Sequence, residues 1–497
     1  MKFIKYITLG LISISVLNSC ELDLYPYSAI ETSQSFNSVA DAKNWANRVH
    51  ADLRARVYGH YIMSTDIQGD QLNASADYGN NYGDIHRWTN LLSDNYEISD
   101  YYEGYYSGIN NVNMAIEGFK SITPNSDEET KLLKEYTGIA HFARAYYYFQ
   151  LNIRFGKAFN SSTSGSDLSV PLVLVADINA TPARSTVQEV YDQILTDIEI
   201  AKTNLASSVG KANSSQINID VVTALESRVK LFMNDWVGAK KASETLINSG
   251  KYELYTTAED IKLMWHEDAG AEVIFAPFVS INEGTNINDV YIGFEPSQNR
   301  YRPYFLPSQW VIDSYSDDDF RKDAYFLTSD KIYMASQGKA FIGTIVNKYP
   351  GNPALRNKGA VTNYLHSPKI FRIAESYLNA AEASFNANNE TDARKHINTL
   401  REARGLEALA SSVSGDNLLK EIKAERFREL AFEGFRLEDL KRWGEGFTRR
   451  APQNTEMLQL GSDFTEKSVP ANDNKILWGI PTRDVEANPN IVQNEGW

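Results

Sequence analysis

The chain has 497 residues, with 49 Lys plus Arg against 64 Asp plus Glu, a formal charge of −15 and a pI near 5.1. Nucleic acid and anionic membrane surfaces are held through clustered Lys and Arg, so this balance excludes a nucleic-acid partner and adsorption through basic patches. The single cysteine, Cys20, excludes an intramolecular disulfide framework and any cysteine-built metal site.

Lys2 and Lys5 precede an apolar run from Ile7 to Leu17, broken only by Thr8, Gly10, Ser13 and Ser15. That is the length of a secretory h-region and too short for a bilayer span of about 20 apolar residues. Leu17-Asn18-Ser19-Cys20 resembles the bacterial lipobox, in which cleavage precedes a cysteine that carries diacylglycerol. Residues 1–19 are therefore expected to be a lipoprotein signal peptide, with Cys20 as the lipidation site. Acyl chains contribute about 0.8 kcal/mol per buried methylene, so the anchor needs no spanning helix. Residues 21–35 lack helical periodicity and contain Pro26, so 20–35 is expected to be a tether; about 15 extended residues reach about 50 Å.

Helical periodicity begins at Val39, where Trp45, Val49, Leu53 and Val57 recur every fourth residue up to Gly59. Residues 60–94 read as a long polar loop bearing Tyr61, Tyr78, Tyr82 and Trp88, and structureless loops of that length are usually functional. Tyr96 to Phe119 forms the next helix. Ser126-x-x-Glu129 predicts a capping box for a helix reaching Phe155, and Thr186-x-x-Glu189 one for a helix ending near Leu205. Asp220 to Phe232 and Asp235 to Ser249 follow, the latter stopped by Gly250.

From 251 to 368 the helical signal fades into short strand-like pieces: Val273 to Phe278, Lys331 to Met334 and Phe341 to Val346. A second aromatic cluster lies there: Tyr291, Phe294, Tyr301, Tyr304, Phe305 and Trp310. Helices return at 370–386 and 391–404, then from Asp416 to about Glu433 and from Arg436 to Trp443; the last fifty residues look irregular. Four helix pairs can be drawn: 39–58 with 96–119, 127–155 with 186–205, 220–233 with 235–249, and 370–386 with 391–404. Pattern alone gives a helical-hairpin array with a loop-rich subdomain, and stacked pairs of about 34 residues are the tetratricopeptide arrangement.

No enzyme signature is visible. The seven histidines show no metal-ligand spacing, and there is no G-x-S-x-G, no phosphate-binding loop and no EF-hand loop. The charge-dense stretch from Glu425 to Trp443 resembles a catalytic cluster at first sight. Its i, i+3 and i+4 spacing is better read as intra-helix ion pairing with capping of neighbouring loops. The expectation is a binding protein without cofactor or metal.

Several stretches carry a family resemblance. They are Tyr101-Tyr102-x-x-Tyr105-Tyr106 with Ile109-Asn110-x-x-Asn113, and Ala143-Arg144-Ala145-Tyr146-Tyr147-Tyr148-Phe149 leading to Phe155-Gly156 and Val170-Pro171-Leu172. Further along stand Arg372-Ile373-Ala374-Glu375-Ser376-Tyr377-Leu378-Asn379, then Glu425-Arg426-Phe427-Arg428-Glu429 through Glu433-Gly434-Phe435-Arg436, then Asp439-Leu440-Lys441-Arg442-Trp443. Ile480-Pro481 and Asn488-Pro489, with Gln493-Asn494-x-Gly496-Trp497, complete the series. In this order they resemble the SusD/RagB outer-membrane lipoproteins of Bacteroidetes. The resemblance implies a mostly α fold, with four tetratricopeptide-like helix pairs as scaffold and a loop-rich subdomain with short strands. It divides 36–497 as one SusD-like domain: scaffold 36–250 and 370–405, loop-rich ligand-binding part 251–369, and C-terminal family segment 406–497. It also implies a SusC-type TonB-dependent transporter as partner, which the protein caps as a lid, and an oligosaccharide ligand. Peptide capture, or a purely structural brace of the transporter, are the alternatives. Glu21 and Asp23 after Cys20 match the acidic residues that favour export to the cell surface in such lipoproteins, so a lipid-anchored outer-membrane position facing outward is expected.

Flat aromatic faces stack on sugar rings while Asp, Asn and Arg bond hydroxyls. The two aromatic clusters therefore supply the candidate ligand contacts: Asp70, Tyr78, Tyr82, Arg87 and Trp88 from the first, and Tyr291, Tyr301 and Tyr304 from the second.

Overall fold

The structure is a computed structural model that describes residues 35–177, 179–283, 290–357 and 359–497. Residues 1–34 lie outside the described residues, and with them the expected signal peptide, Cys20 and nearly all of the tether.

Helix α1 (Val39–Arg54) buries Val39, Ala42, Ala46, Val49 and Leu53, one stripe at helical spacing. Its start is a capping box absent from the sequence reading: Asp41 N donates to Ser38 Oγ at 3.3 Å, and Ser38 N donates back to Asp41 Oδ2 at 2.9 Å. After α2 (His60–Gln68) come α3 (Tyr96–Phe119), α4 (Asp127–Phe155) and α5 (Val187–Asn204). The Thr186 box closes as expected, with Glu189 N to Thr186 Oγ1 at 3.1 Å and Thr186 N to Glu189 Oε2 at 2.7 Å. The Ser126 box is half of one: the Glu129 carboxylate accepts from Asn125 N at 2.7 Å, one residue upstream of the cap.

Helices α6 (Ile219–Phe232), α7 (Trp236–Ile247), α8 (Ile373–Asn386) and α9 (Glu390–Ala403) complete the array. α1 packs on α3 and α4, α4 on α5, α6 on α7 and α8 on α9, while α3 against α4 and α7 against α8 join one pair to the next. α4 is the hub, and every residue from Gly138 to Phe155 is buried. A helix wrapped on all sides needs no polar face, which is why Ala143–Phe149 is so rich in tyrosine and other large residues.

The sequence reading of 60–94 as one loop is corrected. His60–Gln68 is helical and Leu72–Ala74 is a strand, and every residue from Met63 to Ser75 is buried. Gly59, with φ +59°, starts this helix rather than ending the previous one, which stops at Arg54. The segment escaped recognition because its buried residues include Ser64, Thr65, Asp66, Gln68, Asp70, Gln71 and Asn73, so no apolar stripe betrays it. Met63, Ile67, Leu72 and Ala74 join the loop-rich core, together with Ile261, Trp265, Tyr291, Phe305, Phe326 and Ile345. A four-stranded sheet holds that part. Phe294–Glu295 pairs antiparallel with Arg300–Tyr301, which runs parallel to Phe326–Met334, itself antiparallel to Lys339–Val346.

The Glu425–Trp443 stretch is structural, but its pairs mostly cross between elements. α10 (Asp416–Leu430) places Glu429 at the centre of a buried ion network. Its carboxylate accepts from Arg321 Nη1 at 3.0 Å, Arg372 Nη1 at 2.7 Å and Arg404 Nε at 2.9 Å. Arg404 also grips Glu272 at 2.8 and 2.9 Å, and Arg372 reaches Glu433 at 2.7 Å. Arg321 belongs to the loop-rich part, while Arg372 and Arg404 flank the fourth helix pair. The network therefore ties scaffold to subdomain. The last residues act as straps: Asn494 Nδ2 donates to Phe155 O and Trp478 O, and Asn488 Nδ2 to Pro182 O.

Candidate functional site

The two aromatic clusters, 200 residues apart in sequence, are brought together by a short strand pair. Leu72–Ala74 runs antiparallel to Phe305–Pro307, with Leu72 opposite Pro307 and Ala74 opposite Phe305. Ser75 N continues the ladder to Tyr304 O at 2.8 Å. The Tyr78 ring then packs edge-on against Phe305 and Phe464, at 6.2 and 5.9 Å between centroids. The base of the first loop consequently lies beside the second.

Tyr82, Arg87, Tyr301 and Tyr304 are half-buried there. Arg87 organises the first loop: Nη1 donates to Tyr78 Oη at 2.5 Å and to Asn80 Oδ1 at 2.6 Å, and Nη2 to Asp84 Oδ1 at 2.8 Å. This clamp accompanies an uncommon backbone, in which Asn80, Tyr82, Trp88 and Asn90 all have φ between +52° and +62°. Left-handed conformations cost a bulky residue about 1–3 kcal/mol and persist only where surrounding contacts over-determine them. Gly79, Asn80 and Asn81 stand exposed at the tip.

In the second loop Tyr301 faces Phe294 across its strand pair, with ring centroids 5.0 Å apart. Partial burial raises the Tyr301 phenol above its ordinary value, so it stays a neutral donor. Arg300 lies 3.9 Å from the Tyr333 ring centroid while its Nε donates to Glu295 Oε2 at 2.5 Å, and Arg302 bonds the other oxygen at 2.8 Å. Phe294 and Tyr301 thus pair on the sheet face shared with Ile332, and Tyr333 stands with Arg300 on the other; half-exposed aromatic faces beside fixed charges can stack sugar rings and bond their hydroxyls. Arg300 and Tyr333 were not among the sequence candidates. Tyr333 lies on a strand read from Lys331, where only its alternation with buried Ile332 and Met334 marks it as outward-facing.

The other four candidates point inward. Asp70 forms a two-pronged pair with Arg436, at 2.8 and 2.7 Å, and is 2% exposed. Trp88 donates its indole N–H to Gln68 O at 2.8 Å and packs on Phe447. Tyr78 is held by Arg87 and Phe305, and Tyr291 is fully buried beside Tyr349 and Phe432. Burial by distant segments separates the two sets, and the bare sequence does not show it.

Among the described residues no group of three or more His, Cys, Asp or Glu side chains is placed to hold a metal ion, and no helix is long and apolar enough to cross a membrane.

Comparison with known proteins gives a consistent result. The family model described as the SusD family matches residues 280–497, and one described as starch-binding, associating with outer membrane, matches residues 22–231. SusD-like protein P38 of Formosa agariphila is 25% identical, with 99% of each chain covered. The starch-binding protein SusD of Bacteroides thetaiotaomicron is 34% identical over 128 residues, covering 26% of this chain and 21% of its own. In fold, a SusD superfamily protein from B. thetaiotaomicron superposes with a TM-score of 0.76 at 24% identity, covering 92% of this chain and 99% of its own. A SusD-like carbohydrate binding protein from Bacteroides vulgatus gives 0.72 at 20% identity, with 92% and 98% covered.

Proposed function

The chain belongs to the SusD/RagB family, and from that premise we propose that it is a non-catalytic, lipid-anchored surface protein that captures an oligosaccharide and delivers it to a SusC-type TonB-dependent transporter, acting as its lid. The observation that carries the ligand half of this reading is the strand pair that sets the two loops side by side, with Tyr82, Arg87, Tyr301 and Tyr304 left part-exposed. Carbohydrate binding at the level of the family supports it, as does the starch named for the relative SusD. The rest of the molecule suits the delivery role: a helix array offers a broad rigid surface for a partner, and a tether from Cys20 would let the body swing while remaining attached. The single domain 36–497, the anchor and the outward orientation are parts of the same proposal.

The test is an oligosaccharide array followed by calorimetry on the best ligand, with affinity purification from outer membranes alongside. Saturable binding that weakens about tenfold or more in Tyr301→Ala, together with a co-purifying barrel, is the expected result. Blank sugar arrays with saturable peptide binding would replace the glycan by a peptide. A barrel partner with no saturable ligand would reduce the protein to a brace.

A further inference from the structure

A second concavity begins at Trp310, the last residue of the second aromatic cluster. It is an open cleft of about 780 Å³ between α10, the turn Gln309–Asp313, α11 (Arg436–Trp443) and the segment that follows it. Its volume is within the range of small-molecule sites, about 300–1,000 Å³. The inner wall is aromatic: Trp310 stacks on Phe427 with centroids 4.7 Å apart and planes 28° apart, and Trp443 also lines the cleft. The Trp310 indole is fixed by an N–H bond to Asp70 O at 3.2 Å.

Cations lie over these rings. Arg450 is 4.7 Å from the Trp310 centroid, Arg436 is 5.0 Å from that of Phe427, and Lys423 is 4.8 Å from that of Trp443. Two of the three are neutralised: Arg436 by buried Asp70, and Lys423 by Glu445 at 2.5 Å. Arg450 is different. It is exposed, and among the described residues no carboxylate stands within ion-pair distance of it; the same holds for Lys420 on the cleft-lining face of α10. The cleft's remaining unpaired carboxylates, Asp313 and Asp416, are exposed, and Asp313 already accepts from Gln309 Nε2 at 2.7 Å.

A guanidinium lying over an indole loses orientational freedom and keeps its planar fork of N–H donors, which fits the two oxygens of a carboxylate or sulfate. Arg450 therefore has its fork free for an anion presented beside the aromatic wall. We infer that the Trp310–Arg450 cleft is a binding site for an acidic saccharide unit, its ring against the aromatic wall and its carboxylate or sulfate on Arg450 with Lys420. The inference rests on the glycan-capture reading and adds to it a second site and a charge class.

The experiment titrates the purified mature chain with oligogalacturonate, chondroitin sulfate oligosaccharide and neutral maltoheptaose, in low and high salt, and repeats the series on R450A, R450K, W310A and Y301A. The expected result is that at least one acidic probe binds, that binding weakens with salt, and that it falls about tenfold or more in R450A and W310A. R450K should lose less, and Y301A reports only on the neutral sugars of the capture reading. Circular dichroism and thermal melts confirm that the variants fold. Acidic probes that do not bind, or bind equally well to R450A, overturn the inference. If neutral sugars from the array still bind under Tyr301 control, the capture reading stands without it. If no sugar binds at all, both fail together.

Discussion

Replacing Glu429 by glutamine removes one charge from the middle of the buried network while keeping the side chain's shape. Three guanidiniums, all with side chains at most 1% exposed, then lose a shared anion. Losing one partner of a buried ion pair costs about 3–5 kcal/mol, because the surviving charge is left uncompensated. Three separate losses do not add here: Arg404 keeps Glu272, Arg372 keeps Glu433, and Arg321 keeps Asp319 at 2.7 Å and Glu425 at 2.7 Å. The expected cost is therefore about 3–5 kcal/mol in total. Unfolding entropy is about 2 cal/mol/K per residue, so a chain of 497 residues has roughly 1 kcal/mol/K at its midpoint and Tm should fall by about 3–5 °C. Calorimetry gives the shift, and hydrogen exchange should rise around 319–325 and 427–434, where the network joins scaffold to subdomain. A Tm within 1 °C of wild type, with unchanged exchange, would refute the idea that Glu429 is the tie.

The same network fixes an acid dependence. Burial alone would raise the Glu425 carboxyl, but Arg321 and then Arg428 more than offset it and hold it at about 2; Glu382 is held at about 2 in the same way by Arg442. Folded-state values below the ordinary 4.5 mean stability that is fully present above about pH 5 and lost as pH falls toward 2, measurable by urea unfolding across that range. Asp66 runs the other way. Burial pushes it up to about 7 despite the bond from Gly434 N, so the folded state holds an extra proton between about pH 4 and 7, and stability falls as pH rises through that window. Asp66→Asn should raise Tm at pH 8 and leave it unchanged near pH 4; equal effects at both would contradict the assignment. Trp88→Ala should lower stability by about 3–5 kcal/mol through the hole left against Phe447, read from the urea midpoint, rather than act mainly on ligand affinity. Cys20→Ala, expressed in cells, should release the protein from the outer membrane with ligand affinity intact; a variant that stays bound without the transporter would contradict the anchor.

The helix array was legible where helices carry one apolar stripe, such as Val49 with Leu53 and Ile194 with Ile198, and burial follows those stripes. His60–Gln68 was hidden for the opposite reason: Ser64, Thr65, Asp66 and Gln68 are buried polar residues, and their environment is set by chain segments far away in sequence. The charges of α10 were visible, but their partners were not. Local spacing offers i+3 and i+4 neighbours, whereas Arg321 is 108 residues from Glu429. At the site, residue type was readable and exposure was not. Tyr291 and Tyr301 look alike in sequence, yet the first is sealed behind Tyr349 and the second stands on a strand beside solvent. The pairing of Leu72–Ala74 with Phe305–Pro307, which sets the two loops side by side, is a contact across more than 230 residues that no local pattern encodes.

Calorimetric titration of the array-selected oligosaccharide into wild type and into the Tyr301→Ala/Tyr304→Ala double variant tests the central claim most directly. The account predicts saturable binding by wild type, loss of measurable binding in the double variant, and a Tm within about 1 °C of wild type, since both side chains are half-exposed. Undiminished affinity in a correctly folded double variant would contradict it.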